Sequence, residues 1–167
     1  MGARSPAATA YVGLGSNLEE PRRQLLQACE ALSRLPRTQL IARSSLYRSA
    51  PVGKTDQPDF VNAVAMLRTQ LAPLDLLHAL LDLEAQQGRT RSEPNAARTL
   101  DLDLLLYEDR VMHEPGLVIP HPRMHERAFV LVPLAELNPD VIIPGYGAAG
   151  DLLPCVAGQD VTRLDAE

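Results

Sequence analysis

Apolar positions along this chain fall into segments whose spacing is either two residues or three to four, which separates strands from helices. Residues 9–14 form a short β-prone run that ends at Gly15-Ser16-Asn17, read as a turn. Ser16 and Glu19 have capping-box spacing and Pro21 suits a first helical turn, so a helix is predicted to about residue 35, with Leu25, Cys29 and Leu32 on one stripe and Pro36 stopping it. Residues 39–47 and 60–69 predict strands, and in the second Val61, Ala63, Ala65 and Leu67 alternate with Phe60, Asn62, Val64 and Met66. The connection 49–58 is too long and too rich in proline for a tight hairpin, and loops of that length often carry function. Pro73 opens a second predicted helix in which Leu74, Leu77, Leu81 and Glu84 recur at helical spacing, with Gly88 as its stop. After a polar loop over 89–97 comes the strongest strand signal, 99–107. There Leu100, Leu102, Leu104 and Leu106 share one face, while Asp101, Asp103, Leu105 and Tyr107 share the other.

The order strand, helix, strand, strand, helix, strand is the ferredoxin-like βαββαβ arrangement, an α+β fold with both helices on one face of an antiparallel sheet. Residues 118–121 and a helical-looking stretch over 123–137 form a C-terminal addition. Residues 9–144 are expected to make a single domain. The flanks 1–8 and 145–167 are expected to be loosely structured, because Gly145-Tyr146-Gly147-Ala148-Ala149-Gly150 leads into a weakly patterned acidic tail.

Composition narrows this picture. A chain of 167 residues suits one domain, and with 4% aromatic residues and no Trp its core must be built mainly from Leu, Val, Ile and Ala. Phe60 and Phe129 are its only phenylalanines, so each invites a reason. Asp+Glu 21 against Lys+Arg 16 gives a net charge of -5 with no basic run, which argues against nucleic acid as a partner. Cys29 and Cys155 lack Cys-x-x-Cys spacing and are read as core thiols. No apolar stretch approaches the ~20 residues a bilayer requires, and residues 1–8 lack the apolar centre of a secretory signal. The expected address is cytoplasmic, without a membrane partner.

Candidate chemistry concentrates around residue 100. Two carboxylates on one strand face, such as Asp101 and Asp103, repel by ~4 kcal/mol at ~4 Å and an effective dielectric of about 20, a cost relieved by protonation or a bound cation. Oxygen-only ligands select a hard cation, and Mg²⁺ fits best when phosphates complete its shell. The competing reading is a solvated outer face of an edge strand. Arg89, Arg91 and Arg98 lie just upstream, which sets cations for phosphate beside carboxylates for metal, as phosphoryl transfer requires. Glu84 either ends its stripe near solvent or faces a polar site. His121 is either structural or a phosphate donor, and Arg123 with Arg127 either binds anions or forms a solvated face. Gly13-Leu14-Gly15-Ser16-Asn17 does not complete Gly-x-Gly-x-x-Gly, since position 18 is Leu, and neither a P-loop nor a nucleophile elbow is present. The residues alone thus reach a metal-dependent, phosphate-handling domain. An ordinary kinase, a nucleotidyltransferase and a non-catalytic binding module all stay open.

Taken together, Gly13-Leu14-Gly15-Ser16-Asn17-Leu18, Ser44-Ser45-Leu46-Tyr47-Arg48, Gln57-Pro58-Asp59-Phe60-Val61-Asn62, Glu84-Ala85-Gln86-Gln87-Gly88-Arg89 and Arg98-Thr99-Leu100-Asp101-Leu102-Asp103 resemble the 6-hydroxymethyl-7,8-dihydropterin pyrophosphokinase family of folate synthesis. Pro120-His121 and Arg127-Ala128-Phe129 extend the likeness over residues 11–144. The resemblance implies a ferredoxin-like fold and transfer of the pyrophosphoryl group of ATP to the hydroxymethyl oxygen of the dihydropterin, releasing AMP. It implies two Mg²⁺ ions held by Asp101 and Asp103, with Arg89 and Arg98 closing over the triphosphate. Glu84, Arg91, Leu104, His121 and Arg127 match nucleotide-site positions. Phe60 and Phe129 match the aromatics that sandwich the pterin, Asn62 the amide that reads its polar edge, and Ser49, Ala50 and Val52 the lining of its pocket. A monomer is implied, whose product a separate dihydropteroate synthase would consume. Residues 92–97 form a slightly shorter loop than the family's, without the Trp common there, and Gly116, Val118 and Pro122 stand where polar or aromatic nucleotide contacts are frequent.

Overall fold

The two longest strands form the middle of the sheet. The computed structural model describes residues 6–17, 20–50, 59–88 and 100–164. In chain order these form β1 (Ala8–Ser16), α1 (Pro21–Ser33), β2 (Thr38–Arg43), β3 (Tyr47–Ser49), β4 (Phe60–Thr69), α2 (Pro73–Leu83), β5 (Leu100–Tyr107), β6 (Met112–Glu114), β7 (Leu117–Ile119), α3 (Ala128–Leu137), β8 (Ile142–Ile143), β9 (Gly147–Ala148), α4 (Ala149–Leu152) and β10 (Val161–Arg163). The main sheet runs β10-β3-β4-β1-β5, with β2 on the far end of β4, and every pairing is antiparallel. This is an α+β fold with the expected strand order.

Each face of the sheet is covered. Val12, Leu14, Val61, Ala63, Ala65, Leu100, Leu102 and Leu104 pack under α1 and α2 in one core. Tyr11, Val64, Leu105 and Leu106 meet Leu131 and Leu134 of α3 in a second. The predicted stripe of α1 is the buried one, Leu25, Cys29 and Leu32 joined by Ala28.

Several expectations are corrected. The predicted strand 39–47 is two strands, because at residues 44–46 the serines replace ladder bonds: Val64 N donates to Ser44 Oγ at 2.9 Å while Ser44 N donates to Val64 O at 2.9 Å. Ser16 caps nothing. β1 stays paired through Ser16 with Val61 and Leu100 on either side, and Glu20, left-handed at φ 56, directly precedes Pro21 without a side-chain cap. In α2 the buried face is Pro73, Leu76 and Leu80, whereas Leu74 and Leu81 are 42% and 49% exposed. A helix with Leu at 74, 76, 77, 80 and 81 offers two stripes of equal period, and only packing chooses. Beyond Leu83 the helix continues as a π-helical turn, Glu84–Gly88.

The alternation in β5 breaks as well. Leu104 pairs with Val12 but Leu106 with Tyr11, so the extra residue Leu105 forms a bulge that exchanges faces. Leu106 thereby joins the second core and Tyr107 the first, where its hydroxyl donates to Leu71 O at 2.7 Å. The helical stretch expected over 123–137 divides into a 3-10 turn, Met124–Glu126, and α3, separated by extended Arg127. Residues 145–164 are folded rather than loose. Ala149 and Val156 are buried in the second core, and β10 extends the sheet along β3. Cys29 is buried, as expected, and burial pushes its thiol up to about 11, but Cys155 is exposed.

Candidate active site

Register builds the site. Gly15 of β1 lies between Asn62 on β4 and Asp101 on β5, and Gly13 lies between Val64 and Asp103. Side chains at alternate positions share a face, so Gly13, Gly15, Asn62, Asp101 and Asp103 all belong to the face that α3 partly covers. The two glycines carry no side chain between the amide and the carboxylates, and a concavity results. It has a volume of about 270 Å³ and is lined by Gly13, Gly15, Ser49, Ala50, Phe60, Asn62, Asp101, Asp103, Arg127 and Phe129, with Leu14, Ala63 and Val130 completing the wall. Glycine inside a strand often marks such an approach, a signal that the turn reading of Gly15 passed over.

At one end of the cavity, Ser49 Oγ donates to Asn62 Oδ1 at 2.6 Å, and both residues are buried. That bond fixes the amide so that Nδ2 turns toward Gly15, where an added Cβ would sit 3.0 Å away. Phe129 stands in the first turn of α3, with the guanidinium of Arg127 5.5 Å from the centre of its ring. At the other end, burial raises the Asp103 carboxyl above its ordinary value, opposed by the Arg127 charge. A carboxylate that is costly to keep charged in water's absence suits a cation partner. Among the described residues no group of three or more His, Cys, Asp or Glu is placed to hold a metal. The carboxylates that line the cavity, Asp101 and Asp103, are a pair whose chemistry fits Mg²⁺ that keeps waters and phosphate oxygens in its remaining positions.

Eight of the expected site residues line this one cavity: Ser49, Ala50, Phe60, Asn62, Asp101, Asp103, Arg127 and Phe129. Val52, Arg89, Arg91 and Arg98, with the loop 92–97, lie outside the described residues. Glu84 does not line the cavity, nor does it belong to an apolar stripe. Its Oε2 accepts the Leu102 N–H at 2.7 Å on the strand that carries both aspartates. His121 donates its backbone N–H to the bulge carbonyl of Leu105 at 3.0 Å, and burial, with the charges of Arg127 and Arg123, lowers its imidazole below its ordinary value. The ring is neutral near pH 7, and because Nδ1 accepts the Arg123 N–H at 3.2 Å the proton is assigned to Nε2. Leu104 buries its side chain in the first core. Its peptide group lies on the terminal strand of the sheet.

A family model described as 7,8-dihydro-6-hydroxymethylpterin-pyrophosphokinase (HPPK) matches residues 11–139. A 2-amino-4-hydroxy-6-hydroxymethyldihydropteridine pyrophosphokinase from Pseudomonas aeruginosa is 51% identical over 154 residues, 92% of this chain and 95% of the relative. The protein of that name from Haemophilus influenzae is 45% identical over 157 residues, 94% of this chain and 98% of its own length. Among solved structures, a Plasmodium falciparum HPPK-DHPS chain crystallised with pteroate superposes over 92% of this chain with a TM-score of 0.69 at 14% identity. The chain spans 43% of that longer protein, and the likeness at this identity concerns the fold. No helix among the described residues is long and apolar enough to cross a membrane.

Proposed function

Because the chain belongs to the 7,8-dihydro-6-hydroxymethylpterin-pyrophosphokinase family, we propose that its cavity binds the dihydropterin at the Asn62 end and ATP at the aspartate end, transferring pyrophosphate from one to the other. The observation that carries this reading is the pair of strand glycines, Gly13 and Gly15, which leave an aromatic and amide wall and a two-carboxylate wall facing one open space.

The chemistry follows from those walls. Phe60 and Phe129 supply apolar faces for a flat heterocycle, and the locked Asn62 amide presents a donor to its polar edge. The hydroxymethyl oxygen forms a bond to the β-phosphorus of ATP and gives up its proton to water, as the bond from that phosphorus to the α-bridging oxygen breaks and AMP leaves with that oxygen. Magnesium, two ions in this reading, would be held by Asp101 and Asp103 and supply charge neutralisation to the phosphates. Arg127 adds a cation beside Asp103, and neutral His121 keeps Nε2–H as a donor for a phosphate oxygen. Glu84 steadies the aspartate strand through Leu102 N. The assignment of Arg89, Arg91 and Arg98 to the triphosphate rests on their motif positions, as does that of Val52 to the pterin. No side chain is required as a nucleophile, so the rate would come from positioning and electrostatics. A monomer in the cytoplasm, whose diphosphate product a dihydropteroate synthase consumes, completes the reading.

Product analysis after incubation with ATP, Mg²⁺ and 6-hydroxymethyl-7,8-dihydropterin tests it. Equal amounts of AMP and diphosphorylated pterin are expected. ADP or free pyrophosphate would instead indicate a kinase or nucleotidyltransferase, and pterin binding without magnesium-dependent turnover a binding module.

A further inference from the structure

Glu136, in the last turn of α3, is exposed, yet its carboxylate is occupied by an unusual set of donors. Ser45 N–H donates to both oxygens at 3.0 Å, Ser45 Oγ donates to Oε2 at 2.9 Å, and the Tyr47 hydroxyl donates to Oε1 at 2.6 Å. All of these donors come from the short segment that breaks the edge ladder and leads into β3. Tyr47 itself is 5% exposed, and its hydroxyl gives its hydrogen to Glu136. Burial works to raise the Glu136 carboxyl, but the bonds from Tyr47 and Ser45 and the Arg163 charge hold it below its ordinary value, as expected for an acceptor used in its charged form.

The two elements joined in this way both contribute residues to the lining of the cavity. Phe129 is seven residues before Glu136, two turns of α3 and the same helical face, ~10 Å along the axis. Ser49 is two residues after Tyr47 and shares its face of β3, and it is Ser49 that fixes the Asn62 amide. Neither β1 nor β5, which hold the glycines and aspartates, enters the Glu136 network.

We propose that Glu136 is a positioning residue for the pterin end of the site, tying α3 to β3 so that Phe129 and the Ser49–Asn62 pair stay at the separation a flat ring requires. The proposal rests on the pterin reading above and adds to it a division of labour: loss of the tie should loosen pterin binding and leave nucleotide binding alone.

The test compares Glu136→Ala, Glu136→Gln and Tyr47→Phe with the wild type by titration with the dihydropterin and, separately, with a non-hydrolysable ATP analogue plus Mg²⁺. Expected are a rise of about tenfold in the pterin Kd for Glu136→Ala, the loss of roughly one good hydrogen-bonding set, and about threefold for Tyr47→Phe. Glu136→Gln, which keeps one acceptor oxygen and the volume, should recover part of the loss, and the nucleotide Kd should stay within twofold throughout. Should Glu136→Ala fail to fold, Glu136→Gln and Tyr47→Phe carry the same comparison. Folded variants with wild-type pterin affinity overturn the tie while leaving the function untouched, even if their thermal midpoints fall. Equal loss of pterin and nucleotide affinity also overturns it. A wild type that does not bind the pterin at all overturns both readings.

Discussion

The same three strands, β4, β1 and β5, present two unlike faces. On one, valines, alanines and leucines meet the leucines of α1 and α2 without interruption. On the other, Tyr11, Val64, Leu105 and Leu106 are covered by α3, but the row continues as Gly13, Gly15, Asn62, Asp101 and Asp103, which line an open cavity. Residues adjacent in sequence therefore serve opposite ends. Leu100 and Leu102 bury apolar area worth roughly 2 kcal/mol each, while Asp101 between them belongs to the cavity lining. The difference teaches that stability and chemistry are separable here residue by residue, and substitutions should separate them.

The largest separation is expected at the carboxylates. Asp101→Ala or Asp103→Ala should lower kcat by about 10³ or more, since charge facing the phosphates is lost, while the thermal midpoint without magnesium holds or rises. A rise is most expected at Asp103, whose burial makes its charge expensive. Steady-state rates alongside calorimetry measure the two effects. Full activity in either variant would remove that aspartate from the phosphate end, and a collapse of stability would deny that this face is independent of the core.

How much of this was legible beforehand follows the same division. β4 has the limits read from the sequence, and Val61, Ala63, Ala65 and Leu67 face the first core together, as their spacing of two predicts. The aspartate pair and both phenylalanines were recognisable because they are exceptions: charges in a leucine strand, and the only rings of their kind. The role of Gly13 and Gly15 was not, since the turn that Gly15 suggests locally is overridden by pairing on both sides, and the purpose of both is visible only against Asn62, Asp101 and Asp103. The bulge at Leu105 inserts one residue and reverses every later face, which no periodicity announces. β8 and β9 have two residues each, too short to show a period. Glu136 lies 91 residues from Ser45, and its network has no local signature.

Next in size is a break confined to the other face. Leu80 is 0% exposed in the first core, and Leu80→Ala should cost about 3 kcal/mol of unfolding free energy through lost transfer and the cavity left behind. Chemical denaturation measures that cost. The folded protein should keep its pterin and nucleotide affinities, because Leu80 lies under the sheet on the side away from the cavity. A loss of affinity comparable to the loss of stability would show that the faces communicate.

The smallest expected effect sharpens the comparison most, because it changes one methyl group on the floor of the cavity. In Gly15→Ala the new Cβ meets only Asn62 Nδ2, at 3.0 Å, closer than carbon and an amide nitrogen sit comfortably. Asn62 yields little, being buried and held by Ser49 at 2.6 Å, so the methyl should tilt the amide away from its ligand. The expected result is a rise in the pterin KM of roughly fivefold, ~1 kcal/mol, with kcat at saturating pterin nearly kept. Stability should move by less than ~1 kcal/mol, because the reduced freedom of the unfolded chain offsets the crowding. Gly13→Ala is the control. Its Cβ would meet Leu105 side-chain carbons at 3.4 Å, an ordinary contact, and nothing of the amide. If steady-state kinetics show the same pterin KM for both variants, the glycines serve packing alone; a larger rise for Gly15→Ala assigns the missing side chain at that position to the substrate.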